Sequence, residues 1–175
     1  MAKKSGLGDA LYIEGYDLSN DIESLSRIAK PSALLPATGI DKSAMERLYG
    51  PYDGEIGFNA FFNDAALREH VALKSLNRNV DIQVLYLRGT AAGDPAAALL
   101  GRQMNYDASR PADGAWLWAV QALGNGFGLE WGVNLTAGKT QQVAAGATAG
   151  VDLTDVSTAF GAAAYLQVFS FTGTS

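Results

Sequence analysis

Length, composition and charge limit the class of protein. The chain has 175 residues, enough for one domain, or one domain with part of a second, that buries a substantial core. Only 18% of the residues are charged, against about a quarter in average globular domains, which suggests that other subunits cover much of the surface. The net charge of -5 argues against a positive groove for nucleic-acid phosphates.

The absence of cysteine and of long apolar segments excludes further classes. Without Cys the chain has no disulfide framework, no thiolate nucleophile and no cysteine-based zinc site. Residues 1–9 are not followed by the apolar stretch of a secretory signal. The longest apolar runs, 96–100 and 115–120, are too short to span a membrane. We therefore expect a soluble protein that is made in the cytoplasm.

The N-terminal part of the chain predicts short strands and two helices. Strands are predicted over 10–13, 22–28 and 32–38, the last at a sheet edge because it contains Pro36. A helix is predicted over 40–50, where Ser43 and Glu46 have capping-box spacing and Gly50 can close the C-terminus.

The clearest strand pattern covers residues 54–62. Ile56, Phe58, Ala60 and Phe62 fall on one face, and Glu55, Gly57 and Asn59 fall on the other. A helix is predicted next, beginning at Asn63 or Asp64 and ending near Leu76.

The remainder of the chain predicts further strands. One covers 80–88, where Asp81 and Gln83 alternate with apolar residues, and another covers 97–106. Residues 115–123 and 127–135 predict a hairpin around Gly124-Asn125-Gly126, with Glu130 and Asn134 on its polar face. Residues 136–158 predict a long loop, and 162–171 a last strand. We expect one domain over 1–142, with 143–175 forming a loop and terminal strand that either belong to it or begin a further module.

The sequence contains no complete catalytic, cofactor-binding or metal-binding motif. The single histidine, His70, lies within a predicted helix, and no nucleophile elbow accompanies it. Gly138-Lys139-Thr140 resembles the end of a phosphate-binding loop, but Val133 stands where that motif needs glycine. Gly124-Asn125-Gly126 begins like a dinucleotide-binding fingerprint, and Leu129 occupies its third glycine position. Asp152 and Asp155 are too few oxygen ligands to indicate calcium. We therefore expect no enzyme activity and no cofactor.

Aromatic residues predict packing or a subunit interface. Trp116 and Trp118 share a strand face with Val120, and Trp131 shares one with Leu129. A carbohydrate-binding β-sandwich module, which displays aromatics on an open sheet face, is the alternative from a different class.

Three segments of the N-terminal half carry a resemblance to a known family. YDLSNDIESL (16–25), TGIDKSAMERL (38–48) and DGEI (53–56) resemble the first half of siphophage major tail proteins, the subunits of the tail tube. GVDL (150–153) and the last residues, 160–175, are similar to the C-terminal part of these proteins. In similar proteins that last segment often continues into an outward-facing decoration module.

The resemblance implies a fold, a function and partners. The fold is mainly β with one or two short helices, a tail-tube-like β-sandwich or half-barrel that joins its neighbours into a continuous tube. The function is that of a virion tail subunit, made in the host cytoplasm, that stacks as hexameric rings and forms the conduit for genome delivery. Its partners are other copies, the tape-measure, tail-tip and terminator proteins, and passing DNA without sequence specificity. A head-decoration or tail-terminator protein is the nearest alternative.

The polar strand faces predict the wall of the channel. A tube subunit needs strands with one face on its own core and the other face toward water. The residues that we predict to face the lumen are Glu55, Asn59, Asp81, Gln83, Glu130 and Asn134. An acidic lumen lets DNA pass, because retention needs Lys or Arg contacts to phosphates. The segments 1–8, 89–95 and 136–158 are expected to order on assembly.

Overall fold

The structure is mainly antiparallel β-sheet. The computed structural model describes residues 5–76, 79–141 and 161–171. The elements in chain order are β1 (Ala10–Ile13), β2 (Tyr16–Asp17), β3 (Ile22–Ala29), β4 (Ser32–Pro36), β5 (Arg47–Tyr52), β6 (Glu55–Phe61), α1 (Glu69–Leu73), β7 (Ile82–Leu87), β8 (Pro95–Ser109), β9 (Leu117–Gly124) and β10 (Glu130–Val133). The predicted mainly β fold is confirmed, with a single short helix in the part of the chain described.

One sheet of eight strands forms the body of the molecule. Its order is β2-β1-β7-β8-β9-β6-β3, and β10 also pairs with β8. The main core contains Leu11 of β1 and Phe58 of β6, although β7, β8 and β9 lie between these strands in the sheet. The sheet therefore curls around its core as a half-barrel. Ala72 and Leu73 of α1 pack into the same core from the concave side.

The strand over 54–62 is confirmed as β6, with Ile56, Phe58 and Ala60 buried in the core.

The neighbouring strand β3 does not show a regular alternation of apolar and polar residues, and its pairing with β6 explains this. Two register shifts interrupt its pairing with β6, between Ile22 and Ser24 and between Leu25 and Arg27. Each bulge inserts one extra residue, so that core-facing side chains recur every third position instead of every second.

The prediction of a helix over 40–50 is wrong. Residues 47–52 form strand β5, which pairs with β4 so that Leu34 lies opposite Tyr49 and Leu35 opposite Leu48. The turn is closed at Thr38, whose Oγ1 accepts a hydrogen bond from the Glu46 N–H at 2.9 Å. A helix of this length is marginal without packing, whereas pairing with β4 supplies partners for the backbone. The predicted edge strand containing Pro36 is confirmed as β4.

The second predicted helix is shorter than expected. It covers Glu69–Leu73, whereas the prediction covered 63–76. Leu67 has a φ of 63°, a left-handed backbone conformation that a right-handed helix cannot include. Asn63 Oδ1 accepts a hydrogen bond from the Ala65 N–H at 3.1 Å and so forms a local turn instead of a helix cap.

The predicted hairpin over 115–135 is also wrong. β9 and β10 do not pair with each other: both pair antiparallel with β8, β9 along its second half and β10 along its first. The chain therefore runs in the same direction before and after Gly124-Asn125-Gly126. The intervening segment leaves the end of β9 and inserts Leu129 into the core, while the Gly124 N–H donates to Gly54 O at 2.8 Å.

The predicted C-terminal strand does not form in the part described. Residues 161–171 lie as an irregular segment beside β1 and β7. Gln167 Oε1 accepts a hydrogen bond from the Gly15 N–H at 2.5 Å, and its Nε2 donates to Gln83 O at 2.9 Å. Phe169 packs edge-on against Tyr12, with ring centroids 4.9 Å apart. Asp152, Asp155 and most of the predicted 136–158 loop lie outside the described residues, and the boundary at residue 142 stays a prediction.

Candidate assembly surfaces

The histidine of this chain makes structural contacts in the fold. His70 Nδ1 lies 2.9 Å from the Tyr106 hydroxyl, and its ring packs on Phe62 at 4.9 Å. In residues 5–76, 79–141 and 161–171 no three His, Asp or Glu side chains come close enough to hold a metal ion. No helix in the same residues is long and apolar enough to cross a membrane.

Lys139, from the phosphate-loop-like motif, belongs to a packed ion pair. Its Nζ lies 2.6 Å from Asp17 Oδ2 and 5.3 Å from the centre of the Phe169 ring. Burial alone would raise the pKa of Asp17, but hydrogen bonds from Lys139 and Ser19 outweigh it and lower that pKa. The lysine thus links the segment after β10 to β2 and to the C-terminal segment.

A polar network crosses the face of the sheet opposite the core. Glu55 of β6 accepts from Arg27 Nε of β3 at 2.6 Å and from Gln121 Nε2 of β9 at 2.7 Å. Asn59 of β6 donates to Ser24 Oγ of β3 at 3.1 Å. Three neighbouring strands therefore present hydrogen-bonded polar side chains on one side, which we call the polar face.

The structure brings together two of the six residues predicted to face a lumen. Glu55 and Asn59 both lie on the polar face. Gln83 points away from the core but lies beside the C-terminal segment.

The other three predicted lumen residues do not join this network. Asp81 precedes β7 and accepts from Arg102 Nε at 2.9 Å. Glu130 pairs with Lys30 at 3.2 Å. The side chain of Asn134 is buried, and its backbone carbonyl accepts from the Gly93 N–H at 2.7 Å, so it holds the loop before β8.

Sequence reasoning missed Ser24, Arg27 and Gln121 of the polar face. The bulges of β3 hide Ser24 and Arg27 from any test of alternation. Gln121 lies between the buried residues Val120 and Ala122, and this local alternation is a signal that could have found it.

Every residue of β4 and β5 except Gly50 is exposed. These two strands form a hairpin and are hydrogen-bonded only to each other. Leu34 and Tyr49 share one face, Leu35 and Leu48 share the other, and all four are exposed, Tyr49 to 85%. The turn adds Ile40 and Met45, which are also exposed. The hairpin is thus apolar on both faces and at its turn.

An apolar groove lies at the far end of β8 and β9. It has a volume of about 340 Å³, and we call it the aromatic groove; its lining residues are Ala108, Ser109, Arg110, Trp116, Leu117 and Trp118. Trp118 stacks on Tyr106 with ring centroids 4.2 Å apart. Trp116 remains 51% exposed and contacts Phe62 at 5.4 Å. Trp118 therefore packs within the chain, whereas Trp116 and Trp131 are exposed, and their expected role in a subunit interface stays a prediction.

These features define a half-barrel β domain that carries the polar face and an exposed apolar hairpin. No protein-family model and no curated protein matches the sequence.

Two solved structures share the fold. A chain of the virion of a native gene transfer agent particle matches with a TM-score of 0.58 and 11% identity, covering 74% of this chain and 99% of that chain. A chain of the tail of an empty gene transfer agent particle, determined with C6 symmetry, matches with a TM-score of 0.56 and 13% identity, covering 75% and 99%. At such identities the likeness shows the fold.

Proposed function

We propose that this chain is a structural subunit of a phage-like tail, and specifically of the tail tube. Its half-barrel fold resembles chains from gene transfer agent virions and tails. Three sequence segments resemble siphophage major tail proteins. We propose a structural and not a catalytic role, located in the virion tail, after synthesis in the host cytoplasm.

The observation that carries this proposal is the exposed hairpin. An isolated two-stranded hairpin is only marginally stable in water. This one exposes leucine and tyrosine on both faces, and apolar surface of this kind marks a protein–protein contact. Because both faces are apolar, the hairpin fits between two neighbouring surfaces better than on top of one. Self-assembly supplies such surroundings.

The polar face supports a role as the wall of a channel. Its arginine, Arg27, is paired with Glu55, and the chain as a whole is acidic. Such a surface leaves few free cations to hold phosphates, so that DNA can pass without being retained. The C6 symmetry of one structural neighbour supports hexameric rings. Tape-measure, tail-tip and terminator proteins complete the proposed set of partners.

Electron microscopy of the purified chain tests the proposal. We expect concentrated wild-type protein to form rings or tubes of constant diameter. Leu48→Ser combined with Tyr49→Ser should leave monomers by light scattering, with an unchanged circular dichroism spectrum, because the core lies elsewhere. Ser43→Ala, an exposed polar change in the same hairpin, is the matched control and should assemble normally. Wild-type protein that stays monomeric, or a double variant that assembles as well as wild type, would contradict the proposal.

A further inference from the structure

The hairpin and the aromatic groove lie at opposite ends of the same strands. At one end of β6, Glu55 pairs with Leu123 of β9, and the hairpin is joined there through Asp53, whose N–H donates to Pro31 O at 2.8 Å. At the other end of β6, Phe61 pairs with Leu117, which lines the groove. A strand of this length spans roughly 20 Å. The molecule therefore carries two different apolar surfaces at its two ends.

The groove exposes an aromatic ring and a guanidinium that the rest of the described chain does not cover. Trp116 shows half of its surface to solvent at the groove mouth. Arg110 is exposed and makes no ion pair with any residue in the described ranges. An aromatic site with a free guanidinium suits an apolar segment that also carries a carboxylate.

The turn of the hairpin has the complementary chemistry. Ile40 is fully exposed and Met45 is 64% exposed. A methionine sulfur packs favourably against aromatic rings. Lys42 and Glu46 pair with each other at 3.6 Å, which leaves Asp41 without an ion pair among the residues described. The turn thus offers two apolar side chains and one uncompensated carboxylate.

We propose that the aromatic groove receives the hairpin turn of a second copy of this chain. Ile40 and Met45 pack against Trp116 in this contact, and Asp41 faces Arg110. The inference rests on the proposed function, since it names the partner of the hairpin. Because donor and acceptor surfaces differ, each copy gives its hairpin to one neighbour and receives another from the opposite side. Because the two surfaces lie at opposite ends of β6, this head-to-tail contact repeats from copy to copy and stacks them along that strand.

Cysteine cross-linking tests this contact directly, because the chain has no cysteine of its own. Ile40→Cys together with Ser109→Cys should give, on oxidation, a ladder of dimers, trimers and longer covalent oligomers on a non-reducing gel. Each single variant should give dimers at most. The matched control is Ile40→Cys with Thr140→Cys, which places the second thiol on an exposed residue outside the groove. A ladder in the control, or none in the test pair, overturns the proposal.

Charge reversal gives a second, independent readout. Arg110→Asp and Asp41→Arg should each raise the critical concentration for assembly by about tenfold, and the double variant should restore it. Circular dichroism checks that each variant folds. Assembly that is unaffected by either reversal overturns the proposal. A second overturning result is a saturable Trp fluorescence change on titration with a glycan, together with normal assembly of Trp116→Ala. Wild-type tubes without the ladder remove only the groove assignment, whereas dispersed wild-type monomers remove the proposed function itself.

Discussion

At the scale of single residues, a buried carboxyl lies at the edge of the core. Glu69 is 0% exposed, and neither of its carboxylate oxygens has a hydrogen-bond partner in the described chain. Burial raises its pKa, the nearby Asp21 adds to that effect, and the Tyr106 hydroxyl opposes it. Burial and Glu69 also raise the pKa of Tyr106, whose hydroxyl meets His70. Folding therefore favours the neutral form of this carboxyl more than the unfolded chain does.

Glu69→Gln should increase stability at neutral pH. The folded carboxyl keeps its proton to a higher pH than the unfolded one, so the folded state binds more protons between the two pKa values. Stability therefore falls as pH rises from about 4.3, the unfolded pKa, through the raised folded value. We expect the substitution to flatten this slope and to raise the free energy of unfolding at pH 7, because the amide carries no charge that burial disfavours. Urea denaturation at pH 4 and pH 7 measures both effects.

The control for this change is Asp64→Asn, an exposed carboxylate in the preceding loop. It should leave both the slope and the stability nearly unchanged. A wild-type protein that becomes more stable between pH 4 and pH 7, with the slope lost in Glu69→Gln, would show that Glu69 is ionised in the fold.

Gly15 tests how firmly the C-terminal segment is attached. Its φ is 79°, and a Cβ there would lie 2.4 Å from Val168 O. Gly126 has the same φ with nothing within 4 Å of its missing Cβ, so it is a matched control for backbone strain. Gly126→Ala should cost about 1 kcal/mol of stability. Gly15→Ala should cost that amount and should also release residues 161–171, so that proteolysis in this segment becomes faster. Equal proteolysis of the two variants would contradict this attachment.

At the scale of elements, local backbone geometry decides where α1 begins. Leu67 takes a left-handed conformation immediately before Arg68, the residue at the N-cap position, and Asn63 turns the chain a few residues earlier. Residues 63–68 therefore form a turn, and the helix keeps only the residues that cover the core. The hairpin shows the opposite effect, because cross-strand pairing there prevails over a helix-capping sequence.

Leu67→Gly should stabilise the protein. Glycine adopts a positive φ without the steric cost that a leucine pays, and the Leu67 side chain is exposed, so little packing is lost. We expect a gain of about 1 kcal/mol in the free energy of unfolding. Leu67→Ala, which removes the side chain but keeps the strain, should show no comparable gain in the same denaturation experiment. Destabilisation by glycine would mean that the Leu67 side chain makes a contact worth more than the strain.

At the scale of the whole molecule, curling of the sheet separates two environments. The concave face holds the core and α1, while the polar face points the other way. The proposed channel uses the polar face, and the proposed stacking uses the hairpin and the aromatic groove at the two ends. These surfaces do not overlap, so assembly and passage of DNA can be altered independently.

Asn59→Lys tests whether the polar face lines the channel. Assembled wild-type tubes should not retain short duplex DNA. A ring of added lysines on the polar face should retain it at about 50 mM salt and release it at about 200 mM, because phosphate contacts weaken steeply with salt. Thr140→Lys adds the same charge at an exposed site next to Lys139, which pairs with Asp17 of β2 at the opposite end of the sheet from β3. Equal retention of DNA by both variants in a sedimentation assay would exclude the polar face as the lumen.

Local patterns in the sequence determined the β class and several strands of this protein. The alternation of Ile56, Phe58 and Ala60 predicted both the extent and the buried face of β6. Pro36 correctly indicated a strand with an unpaired edge. These features are readable because side-chain alternation and the missing proline N–H act within a few residues.

Pairing between distant segments was decided only by the tertiary structure. A turn sequence at Gly124-Asn125-Gly126 does not reveal that β9 and β10 both join β8, since that choice depends on which strand offers free backbone groups. Likewise, pairing with β4 decided that residues 47–52 form a strand and not a helix. The bulges in β3 placed Arg27 beside Glu55. Of the six predicted lumen residues, Glu55 and Asn59 meet in one polar network, because strand order in space assembles such a network and local alternation does not.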